Sequence, residues 1–345
     1  MTGYFVRRVL LIIPTFIGIT MVAFVVMHFV PGGPIERQIM AYKMAMAQEG
    51  GGGGGSAIGQ FGTEIPPEAL EEMKRFYGFD KPVHIRYLNW LSNVVRLDLG
   101  RSYTYQDPVW DVIKARFPVS IFLGLTGFIL SYLVCVPLGV LKAIRHGTTF
   151  DFVTSALVFL GYSVPGWALG TALLVLFGGG SFWSVFPLGG FRPSNWEYLS
   201  LWGKITGQLY HMFLPVVCYM VGAFATETIL TKNSLMENLG QDYVRTAYAK
   251  GLSERRVIFL HALRNSLIPL VTGLGNAISL VLAGSFLIER VFNIDGMGYL
   301  GYTAVLQRDY PVALGILVIS SLLMLVGNIL SDVIYALVDP RIRFK

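Results

Sequence analysis

An all-α protein that crosses a lipid bilayer six times is the fold class this sequence predicts, on three observations. Of its 345 residues 54% are hydrophobic and only 14% are charged, which is apolar-rich and charge-poor for a soluble domain. Six segments, 9–30, 119–141, 152–177, 209–230, 266–288 and 311–334, form long apolar runs. About 20 such residues, rising about 1.5 Å each, cover a hydrocarbon core of about 30 Å. The third observation is where lysine and arginine fall. Segments 1–8, 142–151, 231–265 and 335–345 hold 2, 2, 6 and 3 of them, whereas 178–208 and 289–310 hold 2 each. Basic short loops stay cytoplasmic, so both termini and 231–265 are expected inside a multi-pass membrane protein. The net charge of +6 then reads as a topology signal, with no nucleic-acid partner implied.

The first element, 1–30, is a short cytoplasmic start and a span. Arg7 and Arg8 precede an apolar run from Val9 to Val30 that is longer than the core of an export signal. It ends in PGGP without a small-x-small cleavage pattern, so a retained span is expected. Residues 31–118 follow as an extracytoplasmic insertion with 10 basic and 10 acidic residues. A loop of that length crosses largely regardless of its charge. The glycine run 50–55, native or engineered, reads as a flexible linker. "PEALEEMKRFYG" has acids in its first turn, cations in its last and Gly78 at its end, which suits a helix and its dipole. "KPVHIRYLNWLSNVV" predicts a second, amphipathic helix. It either rests on the membrane surface through Trp90 or packs inside the outer domain.

Residues 119–345 carry spans two to six. Cys135 and Cys218 both lie within spans and read as small apolar fillers, with no disulfide or metal pattern. In span three, "GYSVPGWALG" contains Pro165, which removes a backbone hydrogen bond. A packing kink with small neighbours is the simpler reading. The sharper one is a broken helix lining a substrate passage, with Tyr162, Ser163, Pro165 and Trp167 available there. Pro137 and Pro269 lie near span ends and say less. Two acids fall inside spans, where a charge costs about 2.5–3.5 kcal/mol at a helix centre. Both read as structural: Glu227 snorkels near Lys232, and Asp332 pairs with a neighbouring cation such as Arg264 or Arg341.

The most punctuated polar stretch is "DYVRTAYAKGLSERR", residues 242–256, between spans four and five. Asp242 suits an N-cap and Gly251 the left-handed position that ends a helix. The eight residues between them make about two turns, or about 12 Å. Ser253 then caps a second helix that leads through Arg255, Arg256 and Arg264 into span five. A helix this short is marginal alone and needs something to pack against. An ordinary positive loop accounts for the arginines. It does not account for the paired end signals, nor for Ala247 and Ala249, whose small size suits a closely approaching partner.

Other functions fit less well. An ion-gradient-driven secondary transporter, the main alternative, is expected to carry inverted repeats and midplane ion ligands, and neither is evident. An intramembrane hydrolase built on Ser163 needs a base in reach. His28 and His211 lie near outer span ends, and His261 lies in the cytoplasmic segment. Nothing is similar to a channel filter.

"YVRTAYAKGLSERRVIFLHALRNSLIPL" resembles the cytoplasmic loop of bacterial ABC-importer permeases of the dipeptide/oligopeptide class. The wider group has E-A-A, three residues, Gly, nine residues, then I-x-L-P. Here Arg245, Thr246 and Ala247 occupy the E-A-A positions and Gly251 the glycine, while of His261, Leu263 and Arg264 only Leu263 fits. The peptide branch commonly departs in this way. "FYGFDKPVHIRYLNWL", "LDLGRS", "FNIDGMG", "RDYP" and "DPRIR" are also similar to family segments. Asp295 stands where the family's F-x-x-P-G-x-G has proline, which puts a rigid turn there in question. PGGP, the glycine-rich insertion and "GGGSFWSVFPLGGF" most resemble the B-type permeases of Yej importers, a system associated with oligopeptides and peptide antibiotics of the microcin C kind.

The resemblance implies a type I permease fold in the bacterial inner membrane, working by alternating access and pairing with a second homologous six-span chain. It implies that ATP and Mg are bound by separate cytoplasmic ATPase subunits, since this chain has no G-x-x-x-x-G-K-[ST] loop. It is therefore not expected to be an enzyme or to carry a cofactor of its own. A periplasmic peptide-binding protein is expected on the outer face, and membrane lipid around the spans. Tyr243, Arg245, Thr246, Ala247, Ala249, Lys250, Gly251 and Leu252 are the expected ATPase contacts, as a coupling helix within loop 231–265.

Overall fold

The computed structural model describes residues 2–29, 71, 80–179, 182–272 and 284–338. Among the described residues helix dominates, and the β-type pairings are isolated bridges, Arg101 with Pro108 and Gly178 with Phe186. The helices are α1 Thr2–Phe29, α2 Val83–Val95, α3 Val109–Ile144, α4 Thr149–Ser163 and α5 Gly166–Phe177. After them come α6 Leu201–Leu239, α7 Asp242–Ala249 and a helical run over 254–272. That run comprises α8 Glu254–Arg256, a π-helical turn Val257–Ala262, α9 Leu263–Ser266 and α10 Ile268–Thr272. Next are α11 Phe286–Val291, α12 Met297–Leu306 and α13 Tyr310–Val338.

Among the described residues, four helices are long and apolar enough to cross a bilayer: α1, α3, α6 and α13. The bent pair α4–α5 makes a fifth if it counts as one span. Residues 273–283 of the expected span 266–288 lie outside the described residues, as do the glycine run and all but Glu71 of "PEALEEMKRFYG". The helices overrun the expected spans. At 36 and 39 residues, α3 and α6 are about 54 and 58 Å long at about 1.5 Å per residue. Apolar side chains stay exposed along α1, with Leu10 60% and Val22 65% accessible, which water would penalise and lipid does not.

Of the two readings at Pro165, a packing kink and a broken helix, the structure shows a break, with a bend of 96° between α4 and α5. Proline confines the residue before it to extended backbone, and Val164 sits at φ −98°, ψ 118°. The helix therefore stops and restarts with Pro165 as the cap of α5.

By contacts the chain divides into two units. The first comprises Met1–Ile12, Ala115–Leu300 and Ser320–Lys345. Its seam is α3 against α6. Gly127, Ser131, Cys135 and Gly139 recur every fourth residue and line one stripe of α3. A Cβ on Gly127 would lie 2.9 Å from Tyr219 Cβ, and one on Gly139 would lie 2.6 Å from Thr231 Cβ. Small side chains let the backbones close up in this way. Cys135, fully buried, is one rung of this stripe, and its thiol donates to the Phe224 carbonyl at 3.4 Å. The register rises together on both helices, so α3 and α6 run in the same direction. Buried Thr228 and Thr231 satisfy their hydroxyls on carbonyls one turn back.

The second unit comprises Ile13–Lys114 and Gly301–Ile319. The amphipathic helix α2 forms as expected, and its Trp90 packs inside this unit. The Trp90 ring lies 5.5 Å from Phe24 and 6.0 Å from Tyr87, and Tyr87 donates to the Ile17 carbonyl. Two motifs from the sequence meet here. Buried Asp309, from "RDYP", accepts from Ser102 Oγ at 2.5 Å and from the amides of Tyr103 and Thr104 at 3.1 and 3.0 Å, just after "LDLG". One carboxylate thereby collects donors that a loop would otherwise leave unpaired.

Candidate functional site

The polar stretch between α6 and the 254–272 run folds as two helices, as expected. Its first helix, α7, begins at Asp242, with Gln241 in the N-cap position. This corrects the expected cap by one residue. Asp242 therefore acts through the first-turn dipole, and its 3.5 Å approach to Arg245 joins two highly exposed side chains, an arrangement worth little. Gly251 has φ +75°, as the stop signal requires. Leu252 N–H donates to the Ala247 carbonyl and Gly251 N–H to the Tyr248 carbonyl, the two bonds of a complete Schellman closure. Ser253 takes the next N-cap position but makes no side-chain cap bond.

What α7 packs against is the chain itself. Val244 and Ala247, 1% and 6% exposed, join Val140 and Ala143 of α3, Leu235 of α6, and Val257 and Ala262 of the π-turn. Burying a valine side chain stabilises by about 1.5–3 kcal/mol, enough to hold a helix too short to persist alone. Ala247 is thus small because its own core is close. Ala247, one of the expected partner contacts, packs on the chain's own core, and half-buried Leu252 leans on the same core. Tyr243, Arg245, Thr246, Ala249, Lys250 and Gly251 remain exposed, together with Tyr248, which the motif had not singled out. Tyr243 is steadied by a 2.7 Å bond from its hydroxyl to Asn238 Oδ1 at the end of α6.

Beside this platform lies a cluster that no spacing pattern in the sequence pointed to. Asp151 in the first turn of α4 is buried and receives Lys232 Nζ of α6 at 2.8 and 2.7 Å. Lys142 of α3, 1% exposed, lies 3.1 Å from the same carboxylate. It also donates to the Asp151 carbonyl, Thr154 Oγ1 and Ser155 Oγ, at 3.0, 2.9 and 2.7 Å. Three helix ends are thus joined at one carboxylate. A buried lysine is tolerable only when its donors are filled, as here.

The two intramembrane acids settle differently from expectation. Asp332 pairs with Arg8 at 2.5 Å, with Tyr4 alongside, in place of Arg264; Arg341, the other expected cation, lies outside the described residues. Glu227 turns away from Lys232 and accepts from Ser131 of α3 at 2.5 Å. At "FNIDGMG", Asp295 accepts from Arg116 at 3.1 and 2.9 Å. The turn holds without proline because fully buried Glu289 receives the Tyr299 amide at 2.7 Å and the Tyr219 hydroxyl at 3.2 Å. Glu289 lies just outside the expected span 266–288, and burial pushes its carboxyl from 4.5 up to about 7. A Cβ on Gly296 would lie 2.6 Å from that carboxyl carbon, which is why glycine is needed there.

Tyr162, Ser163, Pro165 and Trp167 cluster at the α4–α5 bend, and the side chains of Tyr162 and Trp167 are exposed. Ser163 Oγ donates to the Phe159 carbonyl at 2.9 Å, a local helix bond without a base. These four residues do not line the cavity of about 420 Å³ between α3 and α6; Gly166, among them in sequence, does.

With this geometry in hand, comparison with known proteins identifies relatives. Residues 135–344 match the family described as binding-protein-dependent transport system inner membrane component, and residues 55–124 match its N-terminal counterpart. The chain is 42% identical to the peptidoglycan transport system permease protein YejB of Agrobacterium fabrum, covering 100% of this chain and 99% of that one. It is 40% identical to the inner membrane ABC transporter permease protein YejB of Escherichia coli O157:H7, covering all of both chains. It is 34% identical to the oligopeptide transport system permease protein AppB of Bacillus subtilis, again covering all of both chains.

Proposed function

We propose, from the premise that this chain belongs to the binding-protein-dependent transport system inner membrane components, that it is the permease subunit of an ATP-driven importer of peptides. The proposed cargo is a peptide-bearing molecule: the relatives' names give peptidoglycan and oligopeptide transport, and the sequence resemblance adds a microcin C-like antibiotic. The chain forms one half of a twelve-span pathway with a second homologous permease. A binding protein delivers the cargo to the outer face, and ATPase subunits with ATP and Mg drive it from the cytoplasm. Six spans with both termini inside complete the topology. The parallel register of α3 and α6 supports it, because the chain returns to its starting side between them and the bent pair α4–α5 supplies that crossing.

One observation carries the mechanism: α7 is closed at its C-terminal end and fused by Val244 and Ala247 to the C-terminal ends of α3 and α6. A partner that grips the exposed face of Tyr243, Arg245, Thr246, Tyr248, Ala249 and Lys250 therefore moves those ends with it. Closure of the ATPases pulls on α7, and the spans switch between outward-open and inward-open. Tyr248→Cys, placed opposite a cysteine in the groove of the ATPase, tests this in the assembled importer. A disulfide that forms and blocks peptide uptake is the expected result. Absence of any crosslink from the exposed face of α7, in an importer that transports normally, overturns the reading.

A further inference from the structure

A half-open cavity of about 420 Å³ lies beside α3 and α6, with Gly166 of α5 and residues 284–288 on its other sides, within the range that holds small ligands. Gly124, Gly127 and Ser131 line it from α3, and Tyr219, Gly222 and Glu227 line it from α6. Its polar groups are mostly committed. The Tyr219 hydroxyl donates to Glu289 and accepts from the Ser285 amide, itself on the cavity wall, at 2.7 Å. Ser131 donates to Glu227 Oε2. The Glu227 carboxylate, with the Cys135 thiol also beside it, is half-buried and borders the cavity, and Oε1 is its oxygen not held by Ser131.

The charge accounting around it is unbalanced. Of the two acids inside the expected spans, Asp332 has Arg8 at 2.5 Å. Glu227 has no cation within 4 Å among the described residues, and Lys232, one turn on, is taken by Asp151. A carboxylate held at membrane depth beside an open space, without a partner of its own, suits a cation that visits. Gly222 keeps a way open beside it, since a Cβ there meets nothing within 4 Å.

We infer that Glu227 is a cation-recognition point in this cavity and receives the ammonium group, the free α-amine, of peptide cargo in transit. The inference rests on the peptide-importer reading above and assigns a residue and a charge to one step of it. Ser131 orients the carboxylate by holding Oε2, leaving Oε1 for the ammonium.

The test uses the whole importer in proteoliposomes, with Gly222→Cys in this chain as a reporter. A trimethylammonium methanethiosulfonate and a sulfonate one of similar size are compared, with labelling of this chain read by mass spectrometry against the parent that has only Cys135 and Cys218. The cationic reagent is expected to be favoured at least tenfold beyond its preference for a free small thiol. Glu227→Gln should remove that preference and Glu227→Asp should keep most of it. A peptide with a free amine should slow the cationic reagent, whereas its N-acetylated counterpart should not. In transport, Glu227→Gln should lower free-amine peptide uptake at least fivefold, with normal assembly and ATPase activity. A preference unchanged by Glu227→Gln, a thiol unreactive in the assembled importer, or uptake indifferent to the substitution each overturns the inference. Failure of the unmodified importer to take up any peptide with ATP would instead overturn the functional reading, while the charge preference at position 222 would still be read.

Discussion

Gly251 shows how much can depend on one backbone angle. At φ +75° with open space around its missing side chain, a substitution there is opposed by conformation alone. A left-handed angle costs an ordinary residue roughly 1–2 kcal/mol, while asparagine adopts it more readily. Uptake should therefore fall in the order Asn, Ala, Val, with Gly251→Val abolishing it while membrane insertion stays intact. A valine variant with a normal rate of ATP-dependent uptake would remove the case for α7 as the docking helix. Glu289 supports a second prediction at this scale. Its carboxyl is raised from 4.5 to about 7 in the fold, so the folded state holds the proton more tightly than the unfolded state does. The resulting stability is fully present below about pH 4.5 and is lost as pH rises through about 7, amounting to about 3 kcal/mol at about 1.4 kcal/mol per pKa unit. Glu289→Gln should flatten the thermal-stability profile between about pH 5 and 8; an unchanged slope would mean that another group titrates.

Between elements, two kinds of joint hold the first unit, and each predicts a different failure. The α3–α6 seam depends on volume. Gly139→Ala sets a methyl against Thr231 Cβ and the Thr228 carbonyl at 2.6 and 2.8 Å, and overpacking of this sort costs about 1–3 kcal/mol. Gly18→Ala, with nothing within 4 Å, serves as the control and should be neutral or slightly stabilising. Thermal unfolding in detergent separates the two, and equal effects would deny close packing at the seam. The Asp151 joint depends on charge. Asp151→Asn leaves Lys142 and Lys232 facing each other in a buried site, and breaking such a pair costs about 3–5 kcal/mol. The loss should be partly recovered by adding Lys232→Met, because one of the two stranded charges then disappears. No recovery would mean that the two residues are not coupled.

At the scale of the molecule, function requires company. The outward face of α7 carries tyrosines and cations on a helix anchored from behind, so gentle purification should bring down an ATPase and a second, similar permease. Arg245→Glu together with Lys250→Glu should release the ATPase while leaving the second permease bound, as checked by pull-down from membranes. Loss of both partners together would place the lesion in folding.

Apolar length, cation bias and end signals belong to the linear chain, because each follows from neighbours along one helix. They determined the membrane class, the two helices of residues 242–256 with Gly251 at their junction, and the amphipathic helix over 83–95. The sequence motifs also marked "LDLGRS", "RDYP" and "FNIDGMG" as distinctive, without revealing that the first two meet at Asp309 or that Glu289 and Arg116 hold the third. Only the tertiary structure decided which acid meets which cation, that Ala247 faces inward, that Pro165 bends its span by 96°, and that Glu227 borders a cavity. Such facts depend on helix rotation and on which helices become neighbours. Those are set by packing between residues far apart in the chain, to which periodicity along a single helix is blind.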